Sequence, residues 1–139
     1  MAVKHGMCGN GIRCLAKYLY EQHFVIEKKF EIETISGNKL IELIVENKTV
    51  IGVIVDMGEV ETDGELEIKT ESTTFKGYKI FTGNLHFICF RNELSINELE
   101  KYGPIIENYK YFAEKTNVEF VKIINPSRIQ MIVWERGVR

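Results

Sequence analysis

The sequence predicts an α+β fold in which strands outnumber helices. The main observation is a series of short runs rich in β-branched and aromatic residues, separated by turn residues. The second is that apolar residues recur at helical spacing in only a few segments. Since 139 residues suffice for one domain or for two small lobes that share a core, a compact strand-rich protein is expected.

The first helix is predicted over residues 11–22, because the apolar residues recur there at helical spacing: Ile12, Leu15, Ala16 and Leu19. Asn10 stands immediately before this segment. Because asparagine is a preferred residue at helix N-termini, Asn10 is expected to cap the helix.

Strand-like runs follow the first helix, separated by turns such as Ser36-Gly37-Asn38. They cover residues 30–35, 39–45, 50–58, 66–72 and 79–90. The capping-box pattern of Ser95 and Glu98 begins a second helix, which Gly103-Pro104 is expected to end. The last element is predicted to be a hairpin over residues 118–135, with an Asn-Pro-Ser turn between its strands.

Composition and charge exclude several classes of function. Hydrophobic residues make up 45% of the chain and charged residues 27%, which is typical of a globular domain. A net charge of −2 gives no reason to expect nucleic acid or an acidic membrane as partner. No stretch approaches the roughly 20 apolar residues that span a bilayer, and residues 1–6 (MAVKHG) lack the apolar core of an export signal. We therefore expect a cytoplasmic protein, in which an odd number of cysteines indicates reduced thiols.

The segment MCGNGIRC, residues 7–14, is the most distinctive part of the sequence. Its C-x5-C spacing fits neither the usual pairs of a zinc site nor a C-x-x-C redox pair, and the three histidines form no ligand pattern. Cys14 lies on the predicted helix and is expected to be a small buried hydrophobe. Cys8 precedes the helix, where backbone N–H groups stabilise a thiolate and the glycines let an anion approach. A glycine-rich helix entry without chemistry is the alternative, and the spacing alone leaves both open.

The segment MCGNGIRCLAKYLYE resembles the catalytic cysteine segment of the diaminopimelate epimerases. Further segments resemble that family in the same order along the chain. They are VDMGE (55–59), GNLH (83–86), TNVEF (116–120) and WERG (134–137). The matches extend over residues 7–137 and are specific as an ordered set, although none of them is specific alone.

The resemblance implies two similar lobes that face each other across a cleft, each with one cysteine. One thiolate would remove the α-proton of an amino acid while the opposite thiol donates a proton to the other face, without pyridoxal phosphate, metal or other cofactor. On this basis residues 1–49 form part of the first lobe, and residues 50–139 form the second lobe without its C-terminal end. Each lobe is expected to be a mixed β-sheet around a helix.

The resemblance also implies roles for individual residues, beginning in the first lobe. Cys8 matches the acid/base thiol of that lobe. Gly9 and Asn10 match the loop that offers donors to the carboxylate of the substrate. The implied partner is therefore a small molecule with carboxylate and ammonium groups, diaminopimelate.

In the second lobe, Asn84 and Asn117 match substrate-binding asparagines, whose amides both donate and accept hydrogen bonds. His86 and Glu135 match residues that orient and activate the opposite cysteine, and Glu135 also lies among the substrate-binding positions. Arg136 matches a ligand of the substrate carboxylate, where a guanidinium can bind with two parallel hydrogen bonds. Each residue also has a purely structural interpretation: a turn for Asn84, a strand start for Asn117, an interior histidine for His86, and a solvated pair for Glu135 and Arg136.

The sequence departs from the family pattern in ways that affect activity. The segment MAVKHG does not match the polar segment that normally precedes the cysteine, Leu85 replaces a proline, and Arg139 replaces a glycine. The family's second cysteine has no counterpart, since neither Cys14 nor Cys89 has its sequence context. We therefore expect this chain alone not to epimerise diaminopimelate at a normal rate.

Two other functions remain open on the sequence alone. One is a catalytically silent fragment that acts as a binding or assembly module, and the other is a related cofactor-independent racemase of another amino acid. If strands of the family fold are missing, unpaired edges and apolar patches result, and these predict a homodimer or aggregation.

Overall fold

The computed structural model describes residues 8–137, and it confirms the α+β class. The expectations for residues 1–6 and for Arg139 lie outside the described residues. Within the described range, two helices accompany a three-stranded and a five-stranded sheet. No helix in this range is long and apolar enough to cross a membrane.

Helix α1 begins the described part of the chain, and helix α2 interrupts a series of eight strands. In chain order, the elements are α1 (Gly9–Glu21), β1 (Lys29–Thr34), β2 (Gly37–Glu46), β3 (Thr49–Val55), β4 (Glu61–Lys69), β5 (Thr74–Phe81), β6 (Leu85–Phe90), α2 (Ile96–Glu107), β7 (Asn117–Asn125) and β8 (Arg128–Trp134).

The chain divides into two compact units, and the division lies between Glu59 and Val60. The predicted boundary between residues 49 and 50 is earlier, and it would separate β3 from the strand to which it is bonded. Strand β3 pairs antiparallel with β2 from Thr49 onwards, so it belongs to the first unit.

The first unit places α1 against a sheet with the order β1-β2-β3. Its core consists of Ile12 and Ala16 from the helix with Ile41, Leu43 and Val50 from the sheet. The alternation of buried and exposed residues along β2 gives the sheet one apolar face, which the helix covers. Both strand pairs are antiparallel. The prediction of a mixed sheet is therefore wrong for this unit.

The second unit contains a mixed sheet with the order β4-β5-β6-β7-β8, as expected for this lobe. Only β6 and β7 pair in parallel, because the chain crosses over through α2 between them and both strands begin at the same end of the sheet. Helix α2 packs against β7 and β8. The core includes Phe75, Phe87 and Phe120, whose side chains are fully buried.

Two predicted elements of the second unit differ from the structure. The run at residues 79–90 is not one strand but parts of β5 and β6, which pair antiparallel around a turn at Gly83 with φ +87°. Helix α2 does not end at Gly103-Pro104 but continues to Glu107. The proline removes only the hydrogen bond to the carbonyl of Glu100, an exposed residue, while Ile106 beyond it is fully buried and anchors the last turn.

Candidate functional site

Cys8 is the N-cap residue of α1 in the first unit. Its backbone is extended, with φ −106° and ψ 115°, and its Sγ accepts a hydrogen bond from the backbone N–H of Gly11 at 3.4 Å. The carbonyl of Cys8 accepts from the N–H of Ile12 at 2.9 Å. The thiol is exposed to solvent, and it lies at the positive end of the α1 dipole.

Asn10 is not the cap that the sequence predicts. It lies in the first turn of α1, and its Oδ1 accepts a hydrogen bond from the guanidinium of Arg13. The helix begins earlier because Gly9 adopts helical geometry and the sulfur of Cys8 takes the capping position. Gly9 and Asn10 therefore contribute backbone N–H groups of the first turn, which have no acceptor within a helix.

Gly11 sits close to the sulfur. A Cβ at this position would lie 3.6 Å from Cys8 Sγ and 3.5 Å from Cys8 Cβ, so a side chain here would cover the thiol. The glycine therefore keeps this side of the sulfur accessible.

Cys14 is exposed, and the prediction that it belongs to the core is wrong. It lies two residues from both Ile12 and Ala16, which face the sheet, and about 200° of helix rotation places it on the opposite face. Cys89 is the buried cysteine, and burial raises the pKa of its thiol. Of the three thiols, only Cys8 combines exposure with a helix N-terminus.

In the second unit, the predicted site residues lie at the same end of three neighbouring strands. Strand β6 begins at Leu85, the parallel strand β7 begins at Asn117, and the antiparallel strand β8 ends at Trp134. His86 is directly opposite Asn117 in the register. Asn84 immediately precedes β6, and Glu135 and Arg136 immediately follow β8. The topology therefore brings these three residues, with His86 and Asn117, to the same end of the sheet.

Asn117 connects two strands at this end of the sheet. Its Oδ1 accepts a hydrogen bond from the backbone N–H of Arg136 at 2.8 Å. The guanidinium of Arg136 donates to the carbonyl of Glu114 at 3.0 Å. Glu135 is exposed, while His86 and Asn84 are half-buried. The Asn117 amide thus fixes the backbone that carries Glu135 and Arg136.

The site contains two glutamates to which the motifs assign no role. Glu119 is buried on β7, and its Oε1 lies 2.6 Å from Nδ1 of His86. Its position between Val118 and Phe120 in an apolar strand is the signal that could have identified it, because a charge there needs a partner. Glu107, at the end of α2, is also buried.

Glu107 holds the segment that follows β8. Its Oε2 accepts from the indole Nε1 of Trp134 at 2.8 Å, and its Oε1 accepts from the backbone N–H of Gly137 at 3.0 Å. Lys115 makes an ion pair with Oε1 at 3.2 Å. Residues on both sides of Glu135 and Arg136 are therefore tied to one buried carboxylate.

Glu107→Gln is expected to destabilise the second unit by about 1.5 kcal/mol at pH 7, because an amide cannot accept all of these hydrogen bonds. Burial raises the pKa of Glu107, but the hydrogen bonds from Trp134, Lys115 and Gly137 outweigh it, so the pKa is lowered from its ordinary value of 4.5. The stabilisation is therefore complete above pH 4.5 and is lost as the pH falls through the lower, folded-state pKa.

The measurement is urea unfolding followed by fluorescence of Trp134, the single tryptophan, at pH 7 and at acidic pH. The variant should differ most from the wild type at pH 7 and converge with it in acid. Glu100→Gln, on the exposed side of α2, is the matched control. It should leave the free energy of unfolding unchanged at both pH values. A constant difference between wild type and Glu107→Gln at all pH values would contradict this assignment.

No metal site is evident within residues 8–137. No group of three or more histidine, cysteine, aspartate or glutamate side chains in that range is arranged to hold an ion.

Comparison with known proteins confirms the resemblance that the motifs predicted. Residues 4–62 match the family model described as diaminopimelate epimerase. A diaminopimelate epimerase of Agathobacter rectalis is 38% identical, and the match covers 94% of this chain and 53% of the relative. One from Methanothermobacter thermautotrophicus is 39% identical over 94% of this chain and 50% of its own length. The chain spans about half the length of the curated relatives that it matches.

Solved structures share the fold at low sequence identity. A hydroxyproline epimerase from Agrobacterium vitis, with bound trans-4-hydroxy-L-proline, matches with a TM-score of 0.71 and 15% identity, covering 93% of this chain and 45% of that chain. A probable proline racemase from Agrobacterium radiobacter matches with a TM-score of 0.74 and 15% identity over the same shares. These matches confirm that the chain has the fold of this group of epimerases over the part that it covers.

Proposed function

We propose that this chain is part of a diaminopimelate epimerase, which interconverts LL- and meso-diaminopimelate by proton transfer between two thiols. The observation that carries the proposal is Cys8, an exposed thiol at the N-terminus of α1, within the segment that matches the family model. In this proposal Cys8 is one of the two thiols and acts on one face of the α-carbon.

The chemistry of the first unit suits this role. The α-proton of an amino acid is a poor acid, so its removal needs a base held close to it and a means of stabilising the negative charge that develops. The Gly11 N–H donates to the sulfur at 3.4 Å, and the positive end of the α1 dipole lies beside it. The first-turn N–H groups of Gly9 and Asn10 are suited to the carboxylate of the substrate.

The second unit supplies groups of the kind that an amino acid requires. Asn84 and Asn117 are proposed to bind the ammonium and carboxylate groups, and Arg136 a carboxylate. Because Asn117 Oδ1 already accepts from the Arg136 N–H, the NH2 group of Asn117 is the part that serves as donor to a ligand. His86 and Glu135 are proposed to orient and activate the second thiol, and Glu135 also to contact the substrate.

The wider context belongs to the same proposal. The reaction serves lysine and cell-wall precursor biosynthesis in the cytoplasm, on a small-molecule substrate and without a cofactor. A homodimer is proposed as the assembly, because large apolar side chains such as Phe90, Ile123 and Met131 are exposed on the sheet of the second unit.

Exchange of the α-proton in D2O tests the proposal directly. The 139-residue chain is incubated with LL- or meso-diaminopimelate, and deuterium at the α-carbon is measured by mass spectrometry and NMR. Because one base can exchange the α-proton from one face without inverting the centre, incorporation well above that in buffer is the expected result even though epimerisation is not. No incorporation at saturating substrate argues against the proposal, and incorporation into L-proline but not diaminopimelate identifies a related racemase instead.

A further inference from the structure

The buried pair of His86 and Glu119 has a role that the proposed function leaves undefined. Glu119 is only 6% exposed, and its Oε1 lies 2.6 Å from Nδ1 of His86. Its other oxygen, Oε2, is buried and has no hydrogen-bond partner among the described residues. The histidine ring is therefore the partner that compensates the burial of this carboxylate.

The sheet fixes the two side chains beside each other. In the parallel register of β6 and β7, His86 is opposite Asn117 and Ile88 is opposite Glu119. Residues two apart on a strand share a face, so His86 and Glu119 are diagonal neighbours on one face. Phe87 and Phe120 point to the opposite face and join the core with α2. The packed strands therefore hold the backbones of His86 and Glu119 beside each other.

The chemistry of the contact determines which ring nitrogen carries the proton. An ionised carboxylate only accepts hydrogen bonds, so the nitrogen that faces it must be an N–H. The short Nδ1···Oε1 distance is typical of a charge-assisted hydrogen bond. We propose that Glu119 is a positioning residue that holds neutral His86 in the Nδ1–H tautomer and leaves Nε2 as the nitrogen that exchanges protons.

This inference deepens the proposed function and rests on it only for the use made of Nε2. There, the Nε2 lone pair takes the proton of the thiol that His86 serves, which gives a thiolate and an imidazolium, and the reverse transfer restores both. The Glu119 carboxylate stabilises the imidazolium and keeps the ring oriented, as buried carboxylates do for other catalytic histidines.

The tautomer can be measured on the chain itself by long-range ¹H–¹⁵N correlation NMR, at alkaline pH where the imidazole is neutral. His86→Gln identifies which signals, among those of the three histidines, belong to His86. In the wild type, Nδ1 should show the shift of a protonated nitrogen and Nε2 that of an unprotonated one. Glu119→Leu removes the acceptor and should convert His86 to the Nε2–H form that imidazole prefers in water.

Two further variants separate the effect of the hydrogen-bond acceptor from that of the negative charge. Glu119→Gln keeps a carbonyl oxygen in reach of Nδ1 and should retain the Nδ1–H form. Glu100→Gln removes one negative charge from the exposed side of α2 and should change nothing. A wild-type Nε2–H tautomer, or an Nδ1–H tautomer that persists in Glu119→Leu, overturns the inference. If Glu119→Leu does not fold, the wild-type tautomer decides alone.

The measurement uses no substrate, so it is independent of the exchange assay. An Nδ1–H tautomer together with absent proton exchange supports the role of Glu119 and argues against the proposed function. An Nε2–H tautomer together with normal proton exchange argues against the role of Glu119 and supports the proposed function.

Discussion

Cys8→Ser is expected to lower the rate of α-proton exchange into diaminopimelate by about 1000-fold, because a positioned acid/base group contributes on this scale. A serine hydroxyl stays protonated at neutral pH and is a far weaker base than a thiolate. Serine is also a preferred N-cap residue, so it can accept the Gly11 N–H in place of the sulfur and keep α1 intact. The substitution therefore separates the chemistry of the thiol from its structural role.

Cys14→Ser is the matched control for this experiment. Cys14 is a second exposed thiol on the same helix, but it lies beyond the first turn, where backbone N–H groups are engaged within the helix. Exchange should continue at the wild-type rate in this variant, and circular dichroism should show the same helix content in both. Equal exchange by wild type and Cys8→Ser would sink the assignment of Cys8 as base.

Local patterns were sufficient to predict much of the first unit. The spacing of Ile12 and Ala16 predicted the buried face of α1, although Leu15 of the same pattern is exposed, and the β-like run at residues 39–45 predicted β2. The errors at Asn10 and Cys14 have separate causes. A cysteine is not a typical cap residue, so the sequence placed the start too late, and Cys14 was placed by its neighbours in sequence rather than by its helical angle.

The parts of the site that the sequence did not predict depend on contacts between residues far apart in the chain. His86 meets Glu119 only because β6 and β7 are parallel, and that register comes from the crossover through α2. Glu107 reaches Trp134 and Gly137 only because α2 continues beyond Pro104, where a local rule predicted its end. Motifs could identify Asn117 and Arg136 as functional candidates. The charge of Glu119 in an apolar strand indicates that it has a partner, but no local pattern identifies that partner as His86.

Gly103→Ala is expected to destabilise the second unit by about 2 to 3 kcal/mol, the usual cost of overfilling a packed contact. A Cβ on Gly103 would lie 2.6 Å from Cγ, 2.8 Å from Cδ2 and 2.9 Å from Cβ of Trp134. In an open helix position the same change stabilises by about 1 kcal/mol, because alanine is the better helix former. The sign of the effect therefore reports the contact between α2 and Trp134.

The contact matters for the site because Trp134 immediately precedes Glu135 and Arg136. A displaced indole loses its hydrogen bond to Glu107, and the segment that this carboxylate anchors moves with it. Urea unfolding followed by circular dichroism measures the loss, and Gly9→Ala, where the nearest atom to an added Cβ is 3.9 Å away, serves as the control. In a Trp134→Ala background, which leaves only the Cβ contact at 2.9 Å, the alanine at position 103 should cost much less. A stabilised Gly103→Ala variant, or equal costs in both backgrounds, would show that packing against Trp134 is not the reason for glycine at this position.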